Sequence, residues 1–334
     1  MSAATAPDHA MIERLDHFMA RANAAYYATH DPFTDFTTAP EISQVFGELL
    51  GLWAAVTWRL LDFPSPVSLA ELGPGRGTLM EDASRAITRA APGFRTAASI
   101  QLIETSSRLR EIQRERVADA TWHDAVETLP DGPLILLGNE FLDALPIRQF
   151  VRRDNGWTER FVGPMGFVEE RSDFDPAVDA MEGDVVERCE AAEAMAAALA
   201  TRLVRQRGAA LFLDYGPEVS APGDSLQAIS GGRPADPLNE AGSADLTAHV
   251  DFARFSMVVK SSGAQVHGPI PQGLFLARLG LFQRTNKLAG RLPPKQAMEI
   301  MEGARRLAEP DRMGRLFKAI ALVSPGVDIP PGFE

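Results

Sequence analysis

Short apolar runs alternate with longer amphipathic stretches along most of this chain. Apolar runs that predict buried strands lie at 67–72, 99–104, 120–124, 133–137, 209–216, 265–268 and 317–323. Apolar residues recur at helical spacing in 9–25, 40–61, 78–91, 108–117, 185–207, 272–280 and 294–307. Strands that alternate with helices in this way are typical of an α/β fold with a mostly parallel sheet.

The alternation is interrupted once in the middle of the chain. Segments 147–151 and 157–162 flank a turn that ends at Gly156, which predicts a hairpin. An Ala-rich stretch at 185–207 then predicts a long helix. Because the apolar run at 209–216 returns to the core sheet, we interpret the hairpin and helix as an insertion into the core, not as a separate domain.

We predict six segments on this basis. They are an N-terminal helical layer at 1–64, the first part of a Rossmann-like core at 65–150, an inserted hairpin and long helix at 151–207, a core strand at 208–216, a loop and helical cap or substrate region at 217–310, and a return to the core sheet at 311–334. The stretch 217–248 is rich in Gly, Pro, Asp and Ser, which predicts a long loop over the mouth of a site.

The charge of the chain limits its partners. Its 45 acidic and 33 basic residues give a formal net charge of −12, which argues against binding of nucleic acid. An acidic surface is compatible with an Arg-bearing peptide. The single Cys189 and six scattered histidines have no metal-binding spacing, so we predict no metal site.

The N-terminal residues do not resemble a targeting signal. They lack a basic start followed by an apolar core, and the acidic Asp8, Glu13 and Asp16 are not typical of a transit peptide. No apolar run approaches the roughly 18 residues of a membrane span. We therefore expect a cytoplasmic protein that does not insert into a membrane.

A glycine-rich turn follows the strand at 67–72. Gly73, Gly75 and Gly77 stand at alternate positions, and a Cβ at any of them would occupy the space of a bound ligand. Thr78 stands where a dinucleotide fingerprint requires its third glycine, and no Gly-Lys-Ser/Thr follows, which excludes a P-loop. Glu71 would repel a pyrophosphate but suits an ammonium group. Glu-x-Gly-x-Gly-x-Gly resembles the first motif of the class I methyltransferases that bind S-adenosylmethionine (SAM), while another nucleotide or a structural turn stays open.

Acidic residues end the next two predicted strands. Glu104 closes the strand at 99–104, where an acid of a doubly wound sheet commonly binds the ribose hydroxyls of a nucleotide. Asp124 closes the short strand at 120–124, where an adenine amino group is often bound. An acid at the end of a strand is also a common surface feature, and that alternative stays open.

Three polar residues follow the very apolar strand at 133–137. Asn139, Glu140 and Asp143 lie at the end of a central strand, where α/β sheets place ligands and chemistry. They could instead cap the next helix. Two carboxylates at this place could hold a guanidinium group and leave the lone pair of one nitrogen directed at a methyl donor. The local sequence allows both roles, helix capping and binding of a methyl acceptor.

Four segments, taken together and in this order, resemble one known family. They are Asp35–Glu48, Glu71–Gly77, Asn139–Pro146 and Thr247–Phe252. The family is the MidA-like family, whose mitochondrial members are SAM-dependent protein arginine methyltransferases that assist assembly of respiratory complex I. The resemblance covers about residues 20 to 325, and the ordered set is far more specific than any single motif.

The resemblance implies a class I methyltransferase fold and a set of site residues. The implied fold has a seven-stranded, mostly parallel sheet with N-terminal helices and an inserted, largely helical cap region. Gly73, Gly75, Gly77 and Glu104 would hold SAM, and Asn139, Glu140 and Asp143 would border the acceptor. The remaining cofactor-binding candidates are Glu71, Thr37, Thr38 and Asp124. The loop at 32–35 is shorter than is common in the family, which bears on how the pocket closes over SAM.

The function implied is methylation of arginine in a protein, with a complex I subunit as a possible substrate. Glu140 would localise charge on the guanidinium, and Asp143 would assist it or stabilise the site. Two alternatives stay open from the residues alone: an assembly chaperone that binds a partner without turnover, and a methyltransferase that acts on a small molecule. The sequence gives no information on the oligomeric state.

Overall fold

The computed structural model describes residues 12–30, 37–239 and 241–334. The shortened loop at 32–35 lies outside this part of the chain. Two compact units are present. The first comprises the described residues of Met1–Asp35, Ala144–Ala191 and Ser220–Ala248, and the second comprises those of Phe36–Asp143, Ala192–Val219 and His249–Glu334. The finer division into six segments stays a prediction.

The described part of the chain contains both strands and helices along its length. The strands are β1 (Glu13–Arg14), β2 (Val67–Leu72), β3 (Ala98–Ile103), β4 (Thr121–His123), β5 (Leu134–Asn139), β6 (Arg148–Arg153), β7 (Gly156–Gly163), β8 (Gly166–Ser172), β9 (Val185–Arg188), β10 (Gly208–Tyr215), β11 (Gln227–Ser230), β12 (Arg233–Ala235), β13 (Asp245–Thr247), β14 (Gln265–Pro271) and β15 (Phe317–Val323). The helices are α1 (Leu15–Thr29), α2 (Ala39–Ile42), α3 (Gln44–Leu60), α4 (Thr78–Ala90), α5 (Pro92–Ala97), α6 (Ser107–Arg116), α7 (Glu190–Gln206), α8 (Phe252–Ser261), α9 (Gln272–Arg278), α10 (Leu281–Ala289), α11 (Pro294–Ala308) and α12 (Met313–Leu316).

The second unit is built on a seven-stranded sheet, as predicted. Its strand order is β14-β15-β10-β5-β2-β3-β4. The pairs among β10, β5, β2, β3 and β4 are parallel, and β15 is antiparallel to both of its neighbours. This is the mostly parallel arrangement of a class I methyltransferase, so the predicted fold class is confirmed.

Both faces of this sheet are covered. Alternate residues of the central strands, such as Leu69, Ile135 and Leu211, are buried in one core with residues of α3, α4 and α9 to α11. On the opposite face, Phe212 contacts Phe255 of α8, with ring centroids 5.4 Å apart. A sheet that is buried on both faces requires nearly continuous apolar strands, which is why the sequence predicts them so clearly.

The first unit contains more strand than expected. Strands β1, β7, β6 and β9 form a sheet in this order, and β8 also pairs with β7. Strands β11, β12 and β13 form a second, smaller sheet. The prediction of one long loop at 217–248 is therefore wrong, because Ala228 and Leu246 are buried in a core with residues of α1.

Two predicted helices also differ from the structure. The helix expected at 40–61 is broken at Ser43, which is extended (φ −157°) and accepts a hydrogen bond from the N–H of Val45 at 3.3 Å. Ser43 therefore acts as a new N-cap. The helix expected at 185–207 begins only at Glu190, because the β-branched Val185 and Val186 pair with β6. Within the described residues, no helix has both the length and the hydropathy needed to cross a membrane.

Helices α3 and α4 approach each other closely through two glycines of α3. A Cβ at Gly47 would lie 2.7 Å from the Cβ of Asp82, and a Cβ at Gly51 would lie 2.6 Å from the carbonyl oxygen of Ala83. Both distances are shorter than carbon contacts allow. The position of α4, which follows the glycine-rich turn, therefore depends on the small residues of α3.

We expect Gly51→Ala to lower the free energy of unfolding by about 1–3 kcal/mol, because the new methyl group forces the two helices apart. Urea unfolding of the purified protein measures this. Gly93→Ala in α5 is the matched control, since its Cβ would meet only Trp58 at 3.6 Å. Equal stability of the two variants would contradict the packing argument.

Candidate functional site

The carboxyl ends of four strands lie side by side at one edge of the seven-stranded sheet. Leu72 of β2 is paired with Ile103 of β3 and with Gly138 of β5, and Leu213 of β10 is paired with Asn139. The segments that follow β2, β3 and β5 therefore start next to one another. These are the segments for which the sequence predicts ligand binding.

The glycine-rich turn leaves β2 in a left-handed conformation. Gly73 and Gly75 each have φ of +55°, and Gly77 has φ of +83°. The N–H of Gly73 donates to the carbonyl of Ile103 at 3.0 Å, and that of Gly77 donates to the carbonyl of Pro74 at 2.7 Å. A turn with three positive φ values favours glycine at each position and leads directly into α4.

The reason for glycine differs between positions of the turn. A Cβ at Gly73 would lie 2.9 Å from Cδ2 of Phe141, so the Phe141 ring already occupies that space. A Cβ at Gly77 would meet Gln113 and Val117 at an ordinary 3.6 Å. At both positions the nearest described neighbours of the added Cβ are protein side chains, and the expectation that a Cβ would take the space of a ligand stays a prediction. At Gly73 the constraint comes from Phe141 and φ, and at Gly77 from φ.

Glu71 is a carboxylate inside the sheet. The residue is 3 % exposed, and burial raises its pKa to about 8, opposed by a hydrogen bond from the backbone of Met80. Its Oε2 is buried and accepts no hydrogen bond from the described residues. A buried acceptor without a donor fits a ligand that brings an N–H group, such as the ammonium of SAM.

Glu104 follows β3 and is partly buried. Its Oε1 accepts a hydrogen bond from the N–H of Ser106 at 2.7 Å, its Oε2 accepts one from Nε2 of Gln113 at 3.3 Å, and burial raises its pKa.

Nε2 of Gln113 also donates to the carbonyl of Gly75 at 2.7 Å, and Oε1 of Gln113 accepts from Nε1 of Trp122 at 2.7 Å. Gln113 thus connects the glycine-rich turn with Glu104. The sequence did not reveal this role, because Gln113 lies in a mostly polar helix with no motif around it.

Other cofactor candidates lie at the surface. The Asp124 side chain is 80 % exposed and forms an ion pair with Arg110 at 2.6 Å. Thr37 is exposed, and the carbonyl of Thr38 accepts the N–H of Glu41 at 3.0 Å. The roles of Asp124, Thr37 and Thr38 in cofactor binding stay predictions.

Helix α2, which follows the two threonines, contacts both Glu140 and the first residue of α4, which follows the glycine-rich turn. The N–H of Ala39 donates to Oε1 of Glu140 at 2.8 Å. Oε1 of Glu41 accepts a hydrogen bond from Oγ1 of Thr78, the first residue of α4, at 2.5 Å. This segment therefore contributes a backbone donor and an acidic side chain.

Glu140 directly follows β5 and has φ of +49°. Its N–H donates to the carbonyl of Leu213 at 2.9 Å, and its Oε1 accepts from Nδ2 of Asn139 at 3.0 Å as well as from Ala39. No hydrogen bond from the described residues reaches Oε2. Burial raises the pKa of Glu140, and the charge of Arg306 opposes this shift. Two hydrogen bonds therefore fix Oε1, while Oε2 can still accept a hydrogen bond from a ligand.

The residues around Glu140 are also buried and polar. Asn139 is 8 % exposed, and its Oδ1 accepts no hydrogen bond from the described residues. Asp143 is 6 % exposed, and Asp214 of β10 is 1 % exposed. Burial and the neighbouring Asp143 raise the pKa of Asp214 well above its usual range. Buried acceptors and carboxylates in one place fit a cationic ligand that donates several hydrogen bonds.

We expect Gly73→Ala to lower the free energy of unfolding by about 2–4 kcal/mol, because alanine is strained at positive φ and its methyl group meets Phe141. Gly77→Ala is the matched control, with positive φ but no close neighbour, and should cost about 1–2 kcal/mol. Urea unfolding compares the two. Adding Phe141→Ala should restore part of the loss in the first variant only, and an equal effect in both would refute the contact.

Glu71 should make stability depend on pH. In the folded protein, the pKa of Glu71 is about 8, above the ordinary 4.5. Its contribution to the free energy of unfolding is therefore complete below about pH 4.5 and is lost as pH rises through 8. Between pH 5 and 9, the unfolding free energy of the wild type should fall more steeply than that of Glu71→Gln. The slopes should differ by up to about 1.4 kcal/mol per pH unit. Urea unfolding across this range checks this. Equal slopes in both proteins would contradict a raised pKa.

Comparison with known proteins points to one family. Residues 49–270 match the model of a family described as "Putative S-adenosyl-L-methionine-dependent methyltransferase". The mitochondrial protein arginine methyltransferase NDUFAF7 homolog of Drosophila melanogaster is 33% identical, over 94% of this chain and 81% of its own length. Human mitochondrial protein arginine methyltransferase NDUFAF7 is 32% identical, over 86% of this chain and 73% of its own length.

A solved structure agrees in fold and in ligand. A COG1565 superfamily member from Burkholderia thailandensis, crystallised with S-adenosyl-homocysteine, superposes with a TM-score of 0.80 at 25% identity, covering 96% of this chain and 90% of its own. Its ligand is the demethylated product of SAM, and the unpaired acceptor at Glu71 fits the same class of molecule. This chain belongs to the MidA-like family of SAM-dependent methyltransferases, and SAM is its cofactor.

Proposed function

We propose that this methyltransferase transfers the methyl group of SAM to an arginine side chain of a protein, and that Glu140 binds the guanidinium group of that arginine. The observation that carries the proposal is the state of the Glu140 carboxylate. One oxygen is held by Ala39 and Asn139, and the other accepts no hydrogen bond from the described residues. The names of the relatives in Drosophila melanogaster and Homo sapiens support arginine as the acceptor.

Five residues form the proposed cofactor-binding set: Glu71, Gly73, Gly75, Gly77 and Glu104. Glu71 would accept the ammonium group through its buried Oε2, and Glu104 would bind the ribose hydroxyls. The left-handed conformation of the glycine turn would allow its backbone to approach the ligand closely. SAM supplies a methyl group that is already activated for transfer to a nucleophile.

The role of Glu140 follows from its charge and its fixed orientation. Burial alone favours the neutral acid, whereas a bound guanidinium favours the carboxylate. The ionised Oε2 would accept N–H groups of the guanidinium and draw its positive charge to that side. The lone pair of the remaining nitrogen is then more available for attack. Since SAM needs no further activation, positioning is the main contribution of the protein.

The neighbours of Glu140 extend this site. Oδ1 of Asn139 provides a second buried acceptor for an N–H group. Asp143 adds negative charge in the same turn and would favour a cation over a neutral acceptor. After methyl transfer, the methylated nitrogen must lose one proton, and a carboxylate of this turn is the group that could take it.

A planar guanidinium suits this arrangement better than the ammonium of lysine. Arginine presents N–H groups in a fixed fork, so that one face can bind the carboxylate while another nitrogen stays accessible. The formal charge of −12 also favours basic peptides. Because of the family resemblance, an Arg-bearing subunit of respiratory complex I is the first protein substrate to test.

We expect Glu140→Gln to lower kcat for an Arg-bearing peptide about 100-fold or more, since the isosteric amide keeps the bond to Ala39 but loses the charge. The affinity for S-adenosyl-homocysteine should change by less than about threefold, because Glu140 is not in the proposed cofactor set. Transfer of radiolabel from SAM measures kcat, and calorimetry measures binding. Glu127→Gln is the control, because Glu127 is exposed on the turn at 126–128.

The location of the label decides between the functions. Mass spectrometry of labelled cell extract should find methylated arginine in a protein. Label in small molecules only would favour a small-molecule methyltransferase. A partner that is captured equally by wild type and Gly75→Val without any label would favour a binding protein. An unchanged kcat in Glu140→Gln would remove this residue from the mechanism.

A further inference from the structure

We propose that Asp214 is a positioning residue for the reaction: it holds the backbone of the turn at 140–143 and thereby fixes the direction of the Glu140 carboxylate. The inference deepens the proposed function and rests on it, because that proposal gives Glu140 its role in acceptor binding. Asp214 belongs to a different strand and lies more than 70 positions further along the chain than Glu140.

The hydrogen bonds of Asp214 converge on the turn. Its Oδ2 accepts from the N–H groups of Phe141, Leu142 and Asp143, at 3.0, 2.8 and 3.3 Å. Its Oδ1 accepts from the N–H of Tyr215 at 2.9 Å. Three consecutive backbone donors directed at one oxygen form a concave anion site, and here a side chain of the same protein occupies it. Asp214 is therefore the main hydrogen-bond acceptor for the turn.

The turn needs such an anchor because it begins with a strained residue. Glu140 has φ of +49°, a conformation that costs a non-glycine residue on the order of 1–3 kcal/mol. Its N–H still belongs to the sheet, through the bond to Leu213, while the next three N–H groups point at Asp214. Without this acceptor, those donors would be buried or half-buried without partners, and the chain would relax toward another path.

The path of the turn decides where two side chains go. The Glu140 carboxylate is brought to the N–H of Ala39 at 2.8 Å, and the ring of Phe141 is brought against Gly73. Phe141 directly follows Glu140, and its backbone N–H is the first in the turn that donates to Asp214. Rotation of this short segment would move the carboxylate and the ring together. Asp214 therefore acts on the acceptor through Glu140 and does not need to touch it.

Asp214 is buried beside other acidic side chains, which is unfavourable for a carboxylate unless the N–H groups of the turn bind it. Burial raises the pKa of Asp214, and the neighbouring Asp143 and Glu140 raise it further. The N–H groups of Tyr215 and Leu142 favour the ionised form. On α11, the charge of Arg306 acts on Glu140. Four backbone hydrogen bonds to one buried carboxyl group compensate this cost and fix the turn, which is the role assigned here.

The test compares Asp214→Asn with Asp251→Asn. Asp251 also accepts a backbone hydrogen bond, from the N–H of Arg254 at 2.9 Å, but it caps α8, and asparagine caps helices equally well. Two quantities are measured on the full chain: amide hydrogen exchange at 141–143 by NMR, and kcat and KM for an Arg-bearing peptide. Affinity for S-adenosyl-homocysteine, measured by calorimetry, reports whether the cofactor site is intact.

Asp214 accepts through both of its oxygens, whereas the amide of asparagine has only one acceptor and no charge, so it cannot replace all four hydrogen bonds. In Asp214→Asn we therefore expect exchange at 141–143 to become about 10- to 100-fold faster, and kcat/KM for the peptide to fall by a similar factor. Affinity for S-adenosyl-homocysteine should stay within about fivefold, and Asp251→Asn should resemble wild type in all three measurements. Faster exchange with unchanged kcat and KM would overturn the positioning role, and so would unchanged exchange.

Failure of the proposed function gives a different result. A wild-type protein that does not methylate arginine refutes that function, while the exchange data still show whether Asp214 holds the turn. If Asp214→Asn does not fold, exchange in wild type decides. Protection at 141–143, relative to the 99 % exposed Met165 in the turn between β7 and β8, supports the inference. Equal exchange at both places overturns it.

Discussion

The candidate site depends on buried and half-buried carboxyl groups at one edge of a parallel sheet, which the described part of the chain does not pair with cations. Glu71, Glu140 and Asp214 form no ion pair with an Arg or Lys among the described residues, and backbone N–H groups provide most of their hydrogen bonds. Such bonds fix the carboxylates in place but do not neutralise them. Burial raises the pKa of each of these groups and so favours the neutral acid, whereas a cationic group of a cofactor or of an acceptor would favour the carboxylate. Binding of a cation would therefore be coupled to ionisation of these side chains.

Helices α2 and α11 of the second unit help to position the groups of the candidate site. Helix α2 contacts Glu140 through the N–H of Ala39 and contacts the start of α4 through Glu41 and Thr78. On its other side, a Cβ at Gly303 of α11 would lie 3.0 Å from the carbonyl oxygen of Ile42, so the two helices are closely packed. A short helix of four residues thus joins the proposed cofactor side to the proposed acceptor side. Its effect comes from its neighbours and not from its own helix propensity.

Much of the fold was accessible from the sequence, because a sheet covered on both faces requires apolar strands and its ligands lie at the strand ends. The glycine-rich turn and the turn at Glu140 are predictable from the sequence in this way. What the pattern missed depends on contacts between distant residues. Ser43 breaks a continuous apolar helix pattern by acting as a cap. Nothing near Asp214 in sequence indicates that it binds the backbone of residues 141–143. Likewise, the closeness of Phe141 to Gly73 is a property of the folded chain.

The amide of Gln113 has one further consequence. Its nitrogen donates to two oxygens, of Gly75 and of Glu104, while its oxygen accepts from the indole of Trp122. The two ends are therefore not interchangeable, and only one rotation of the amide satisfies all three partners. A glutamate would have the same shape, yet it would direct an oxygen at two other oxygens. This position therefore selects for the polarity of a side chain more strictly than for its size. Sequence changes that look conservative in a polar helix can still disconnect two parts of a cofactor site.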